Sequence, residues 1–187
     1  MFDAFFVSTA VVAVAEIGDK TQLLAIVLAA THRKPVSILL GIFVATLLNH
    51  TLAAGLGFVL GQWLEGRWFQ TLLGLSFIVM AGWALIPDKE EEAPTRTRGS
   101  VFLTTLIAFF LVEIGDKTQI ATSLLAARFQ DIAMVAAGTT IGMMLVNAPA
   151  VYLGEAITRI APLKVIRAAA ALIFVVIGAW VVTAAWL

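Results

Sequence analysis

Glu16-Ile17-Gly18-Asp19-Lys20-Thr21-Gln22 recurs 97 residues later, unchanged at all seven positions, as Glu113-Ile114-Gly115-Asp116-Lys117-Thr118-Gln119. The first copy is preceded by FFVSTAVVAVA and followed by LLAIVLAA, so its charges stand inside an apolar stretch. Other landmarks keep the same offset: Gly41 with Gly138, Phe77 with Phe174, and Trp83 with Trp180. Asn49 and Asn147 correspond if one residue is inserted in the second copy. Self-similarity at a fixed spacing marks duplication, and the chain reads as two homologous halves.

Around these two motifs the chain is 61% hydrophobic and 13% charged, with a mean hydropathy of +1.00. A soluble domain of this length needs a more polar surface, so water-soluble globular classes and intrinsic disorder are both excluded. Basic and acidic residues balance at 12 each, which leaves no net charge to draw nucleic acid. The absence of cysteine removes disulfides, thiolate zinc sites, iron–sulfur clusters and cysteine nucleophiles.

A helix crossing the hydrocarbon core needs about 20 mostly apolar residues. Six stretches meet that length: 5–30, 36–64, 68–86, 101–127, 133–160 and 163–187, the first and fourth interrupted by the charged motifs. Six spans of about 20 residues each account for about two-thirds of the chain, leaving short turns and one loop. The expectation is an all-α integral membrane protein of three spans in residues 1–86, a linker at 87–100, and three spans in residues 101–187. The N-terminal stretch lacks a basic lead-in and stays apolar past residue 25, so it reads as a retained span rather than a signal peptide. The linker, PDKEEEAPTRTRGS, reads as a solvated tether.

Three spans per half is an odd number, so the second half enters the bilayer from the opposite side. This predicts an inverted-topology repeat, the arrangement of many secondary transporters, whose sites lie near the midplane where the repeats meet. Basic residues support the inversion. One side receives Arg33, Lys34, Lys89, Arg96, Arg98, Arg159, Lys164 and Arg167; the other receives Arg67 and Arg128. The positive-inside rule then puts the 87–100 loop in the cytosol and both termini on the extracytoplasmic side. Trp63, Trp68, Trp83, Trp180 and Trp186 fall mostly near span ends and read as interface anchors.

A charge within a span costs about 2.5–3.5 kcal/mol on insertion scales, so intramembrane Glu, Asp and Lys are functional candidates. On a helix Glu16 and Asp19 share a face, and Lys20 is one turn from Glu16 and able to pair with it; Glu113, Asp116 and Lys117 repeat the pattern. Gly18 and Gly115 allow a local break that would turn carbonyl oxygens toward a cavity. Four carboxylates and two lysines sum to two negative charges, which one divalent cation would cancel. Without the cation the same oxygens take up protons, and such competition is a sufficient basis for antiport. Oxygen donors favour calcium, magnesium or manganese. Thr21, Gln22, Asn49, Thr118, Gln119 and Asn147 are candidates to complete the shell around Glu16, Asp19, Glu113 and Asp116. His50 reads as a proton relay or a packing residue, and Pro149 as a kink near Asn147. Local Glu–Lys neutralisation with no ligand is the competing reading of a single motif; the doubling argues against it.

The doubled Glu-x-Gly-Asp-Lys-Thr motif, at 16–21 and 113–118 in a chain of two three-span halves, resembles the Golgi manganese/calcium–proton exchanger family. Bacterial members of that family look like manganese exporters, and it is grouped with the calcium/cation antiporters. The resemblance covers essentially the whole chain. It implies export of Mn2+, or Ca2+, in exchange for protons, with Glu16, Asp19, Glu113 and Asp116 as the family's acidic residues. It implies no prosthetic group, and a bacterial-type inner membrane, since the extra N-terminal span of eukaryotic members is missing. Alternating access of the two halves would be the mechanism. Two other classes stand beside it. An intramembrane aspartyl protease would share a proton between two aspartates, which an adjacent lysine spoils. A channel or non-transporting assembly subunit would need a continuous polar path. Self-association into a homo-oligomer is left open.

Overall fold

A computed structural model describes residues 2–63, 66–86, 99–153 and 163–187. Most of the 87–100 linker, with Lys89, Arg96 and Arg98, lies outside the described residues, as does the 154–162 end of the fifth predicted span with Arg159. Among the described residues every regular element is an α-helix: α1 (Phe2–Glu16), α2 (Lys20–His32), α3 (Pro35–Trp63), α4 (Arg67–Ala84), α5 (Val101–Glu113), α6 (Lys117–Phe129), α7 (Ile132–Leu153) and α8 (Leu163–Ala184).

Among the described residues there are eight helices where six spans, two of them interrupted, were expected. The first and fourth stretches each divide at the repeated motif into two half-length helices, α1 with α2 and α5 with α6. Among the described residues three helices are long and apolar enough to cross a bilayer alone: Pro35–Trp63, Ile132–Leu153 and the segment from Lys164 to Ala184. α5 is apolar but has only 13 residues. Large apolar side chains nevertheless line the outside, among them Leu52, Leu56 and Leu60 on α3, Val79 on α4 and Leu172 and Val176 on α8. In water this would be an aggregation surface; against lipid chains it is the expected finish.

The two halves interlock. α1 packs on α7, α5 packs on α3, and α3 and α7 lie against each other. The first two interfaces repeat each other. Gly41 sits over the Phe102 carbonyl and Thr105, while Gly138 sits over the Phe5 carbonyl and Ser8. Each of those residues is 97 positions from its counterpart. α4 pairs with α8 in antiparallel sense: Trp186 Nε1 donates to Thr71 Oγ1 at 3.0 Å near one end. Farther along, the Phe77 and Phe174 rings stack at 6.4 Å. Phe77 and Phe174 are themselves equivalent positions in the sequence repeat.

Small residues set these approaches, as is usual where lipid leaves packing to do the work of the hydrophobic effect. On α3, Gly57 lies directly on the Ser123 carbonyl of α6, whereas a methyl group at Gly55 would meet nothing within 4 Å. Ser123 Oγ adds a hydrogen bond of 2.9 Å to the Ala53 carbonyl. Gly57→Ala is therefore expected to lose about 1–3 kcal/mol through forced separation of α3 and α6. Gly55→Ala is expected to stay within about 0.5 kcal/mol of the parent. Unfolding curves of the two variants in one detergent check the contrast.

Candidate functional site

The site begins with the backbone. Gly18 and Gly115 hold φ of 79° and 76°, a region closed to most L-residues. The chain there leaves one helix, bonds the Asp19 N–H to the Glu16 carbonyl at 3.1 Å, and re-enters a helix at Lys20. The second copy does the same, with the Asp116 N–H on the Glu113 carbonyl at 3.1 Å. In each turn the glutamine three residues after the aspartate supplies the missing bond. Gln22 Oε1 accepts from the Gly18 N–H at 2.8 Å, and Gln119 Oε1 accepts from the Gly115 N–H at 2.7 Å. Both glutamines thus brace their own turns.

The break corrects the continuous helix face expected for Glu16 and Asp19: Glu16 ends α1, and Asp19 precedes α2. Asp19 and Asp116 stand at the N-cap positions of α2 and α6, yet neither carboxylate bonds its own helix end. Positive helix N-termini therefore sit behind two aspartates, a favourable field for buried anions. Glu16, Asp19, Glu113 and Asp116 are all buried.

The two turns meet. Lys20 Nζ lies 3.2 Å from Asp116 Oδ1, so the first motif's lysine pairs with the second motif's aspartate. Gly18 breaks the helix between Glu16 and Lys20, so the continuous-helix i, i+4 spacing does not describe these two residues. Thr118 Oγ1 donates within its own turn, 3.2 Å from Asp116 Oδ2 and 3.4 Å from Glu113 Oε2. His50 Nε2 is 3.7 Å from the same Glu113 Oε2, with both residues fully buried. Lys117 reaches elsewhere, its Nζ donating to the Ile86 carbonyl just past α4 at 2.7 Å. A small cavity of about 20 Å³, room for one water-sized body, lies beside the first turn between Gly18, Asp19, Lys117, Ala84 and Arg167.

The two asparagines diverge. Asn49 Nδ2 donates to the Phe110 carbonyl at 3.0 Å. That carbonyl lies in the last turn of α5, where the break removes its helical donor. Asn147 Nδ2 instead bonds its own helix at the Met143 carbonyl, 3.1 Å away, and its buried Oδ1 has no hydrogen-bond partner among the described residues. Thr21 Oγ1 is in the same position. α7 runs through Pro149 to Leu153.

Among the described residues no three His, Asp or Glu side chains converge closely enough to hold a metal ion. The arrangement instead gathers pairs: Lys20 with Asp116, His50 with Glu113, and Thr118 with both acids of its turn. Sequence reading passed over the buried hydroxyls of Ser8, Thr46, Thr105 and Thr140, all without a hydrogen-bond partner among the described residues. The 97-residue offset carried a signal for two of them, because it makes Ser8 and Thr105 equivalent.

Comparison with known proteins completes the description. The profile of the family described as "Divalent cation/proton antiporter GDT1" matches residues 4–92 and 101–187. A protein of Vibrio cholerae named "Putative manganese exporter" is 49% identical over 174 residues, covering 92% of this chain and 86% of that protein. "GDT1-like protein 4" of Oryza sativa subsp. indica is 28% identical over 183 residues. "GDT1-like protein 3" of Arabidopsis thaliana is 29% identical over 184. The matches cover 83% of this chain, but only 64% of the rice protein and 62% of the Arabidopsis one. No solved structure matches the chain significantly.

The cross-motif ion pair can be tested by a double-mutant cycle. Lys20→Met strands a buried carboxylate and is expected to cost about 3 kcal/mol of stability. Lys20→Met/Asp116→Asn should recover about 1 kcal/mol or more relative to the sum of the single changes. Unfolding midpoints of the four proteins give the coupling.

Proposed function

The chain belongs to the GDT1 family of divalent cation/proton antiporters, and on that premise we propose that it exports Mn2+ across a bacterial-type inner membrane in exchange for protons. Membership of a transporter family sets aside the protease and channel readings. The observation that carries the proposal is the meeting of the two acidic turns, tied by Lys20 and Asp116 at 3.2 Å, in the middle of an apolar helical body. Mn2+ as cargo is supported by the relative from Vibrio cholerae, whose name says as much of that protein; Ca2+ is the second candidate on the same oxygen chemistry.

In this reading residues 1–86 and 101–187 are two three-span repeats of opposite orientation, each with one span broken at its motif. The antiparallel pairing of α4 with α8 and the exchanged interfaces α1–α7 and α5–α3 support that reading. Glu16, Asp19, Glu113 and Asp116 carry the ion, helped by oxygens of Thr21, Thr118 and Asn147. Gln22, Gln119 and Asn49 shape the breaks and enter the shell only if they release their present bonds. The 87–100 loop is cytosolic and both termini are extracytoplasmic.

The energetics give exchange without further machinery. Ionised carboxylates in a water-poor interior must be neutralised. Lys20 and Lys117 offset two of four charges, and either a divalent cation or protons complete the balance. The half-helix ends at each turn add fixed dipoles, as in other discontinuous-helix transporters. Since cation and protons claim the same oxygens, release of one to a given side follows uptake of the other.

The purified protein in liposomes under an imposed pH gradient should move Mn2+ saturably, with the flux collapsing when the gradient is dissipated. Glu113→Gln should lower kcat/KM by at least about tenfold, or about 1.4 kcal/mol. Gradient-independent flux, or a variant indistinguishable from the parent, would count against the assignment.

A further inference from the structure

His50 stands on α3 directly after Asn49, fully buried, with neither ring nitrogen hydrogen-bonded among the described residues. Buried imidazoles ordinarily find a partner. The group facing this one is Glu113 Oε2, at 3.7 Å from Nε2. That is too long for a hydrogen bond. Two donors at this separation can instead share one divalent ion held about 2.0–2.6 Å from each. Thr118 Oγ1, 3.4 Å from the same carboxylate oxygen, brings a third donor to the spot.

From this geometry we propose that His50 is the specificity-determining ligand of the transported cation, its Nε2 and the Glu113 carboxylate straddling the ion so that a first-row transition metal is preferred to Ca2+ or Mg2+. The proposal rests on the reading that the motif carboxylates carry the cargo. It adds a nitrogen donor to a shell otherwise made of oxygens, and that donor decides between ions the oxygens do not separate. Calcium and magnesium draw oxygen ligands almost exclusively. Transition ions accept and gain from an imidazole nitrogen. A neutral imidazole supplies one lone pair for this purpose. The donor comes from one half only. With the one-residue insertion that aligns Asn49 with Asn147, the position equivalent to His50 is Ala148. The two acidic turns are alike in sequence, and His50 makes the surroundings of one chemically different from those of the other.

The chain contains two histidines, the other being His32 at the end of α2. This makes a spectroscopic test clean in protein freed of any histidine tag. Mn2+ bound to the parent protein should show imidazole 14N modulation in pulsed electron paramagnetic resonance. The signal should persist in His32→Gln and vanish in His50→Gln. In liposomes, the ratio of Mn2+ to Ca2+ kcat/KM should fall at least tenfold in His50→Gln relative to the parent and to His32→Gln. Bound Mn2+ without nitrogen modulation in the parent overturns the proposal, and so does modulation that survives His50→Gln or an unchanged ratio. The parent spectrum decides the matter even if His50→Gln fails to fold. Pumped Mn2+ with no nitrogen signal removes the role of His50 and leaves the transport reading standing. A parent that neither binds nor moves Mn2+ removes both.

Discussion

The structure depends on the cost of holding ionised side chains inside an apolar body. Each acidic turn places a glutamate at the end of one half-helix and an aspartate at the start of the next. The sequence between them can do this only because glycine opens the backbone at Gly18 and Gly115. Once the helix is broken, its loose groups must be satisfied, and the same short motif does most of that work. Gln22 and Gln119 take the glycine N–H groups, Asn49 takes the Phe110 carbonyl, and Thr118 bonds both acids of its turn. The remaining charge is met across the repeat, by Lys20 on Asp116. Lys20 of one half meets Asp116 of the other, so the interlocked packing of the halves and the chemistry of the motif are linked.

That constraint explains why the close helix contacts fall where they do. Bringing two broken helices to a common level requires α1 and α5 to lie tightly on α7 and α3, and glycines at 138 and 41 allow it. Where α4 meets α8, Gly74 and Gly178 and the stacked Phe77 and Phe174 form a seam. Buried polar side chains gather at the two turns and on α3 and α7, such as Asn49, His50 and Asn147, with Ser8, Thr104 and Thr105 farther along α1 and α5.

Much of this was legible in the sequence. The duplication, the apolar spans and the break at each motif follow from repeat spacing, hydropathy and a glycine set among charges. What escaped was whatever depends on tertiary neighbours. Pairing rules for a continuous helix offer Lys20 only its neighbour Glu16; tertiary packing also brings it to Asp116, 96 positions away. Gln22 and Gln119 read as free oxygen donors because nothing in a linear string says that their amides fold back on their own glycines. His50 had two readings of equal weight, and its proximity to Glu113 joins elements 63 residues apart. The division of the first and fourth spans into two helices each has the same origin: hydropathy averages over a turn that the backbone resolves.

The α4–α8 pair shows how such a molecule can have two states. It packs against α6 through α4 and against α1 through α8. The repeat-related contacts, α4 with α5 and α8 with α2, are slight or absent among the described residues. Internal pseudo-symmetry in sequence combined with asymmetry in packing means that a second arrangement, with the roles of the halves exchanged, uses homologous surfaces. The small cavity at Asp19, walled by Lys117, Ala84 and Arg167, lies on the side where α4 ends and α8 begins; in the exchanged arrangement its counterpart would lie beside Asp116. In the proposed exchange the α4–α8 pair would be the moving element, its own seam shared by both arrangements. Equivalent buried residues on the two helices, Leu73 with Ala170 and Ala84 with Val181, keep their apolar character but differ in size. The two packings then differ modestly in energy, on the order of the 1–3 kcal/mol that size changes in a core produce. An antiporter needs that: two states close enough in energy for a cation or its competing protons to tip the balance.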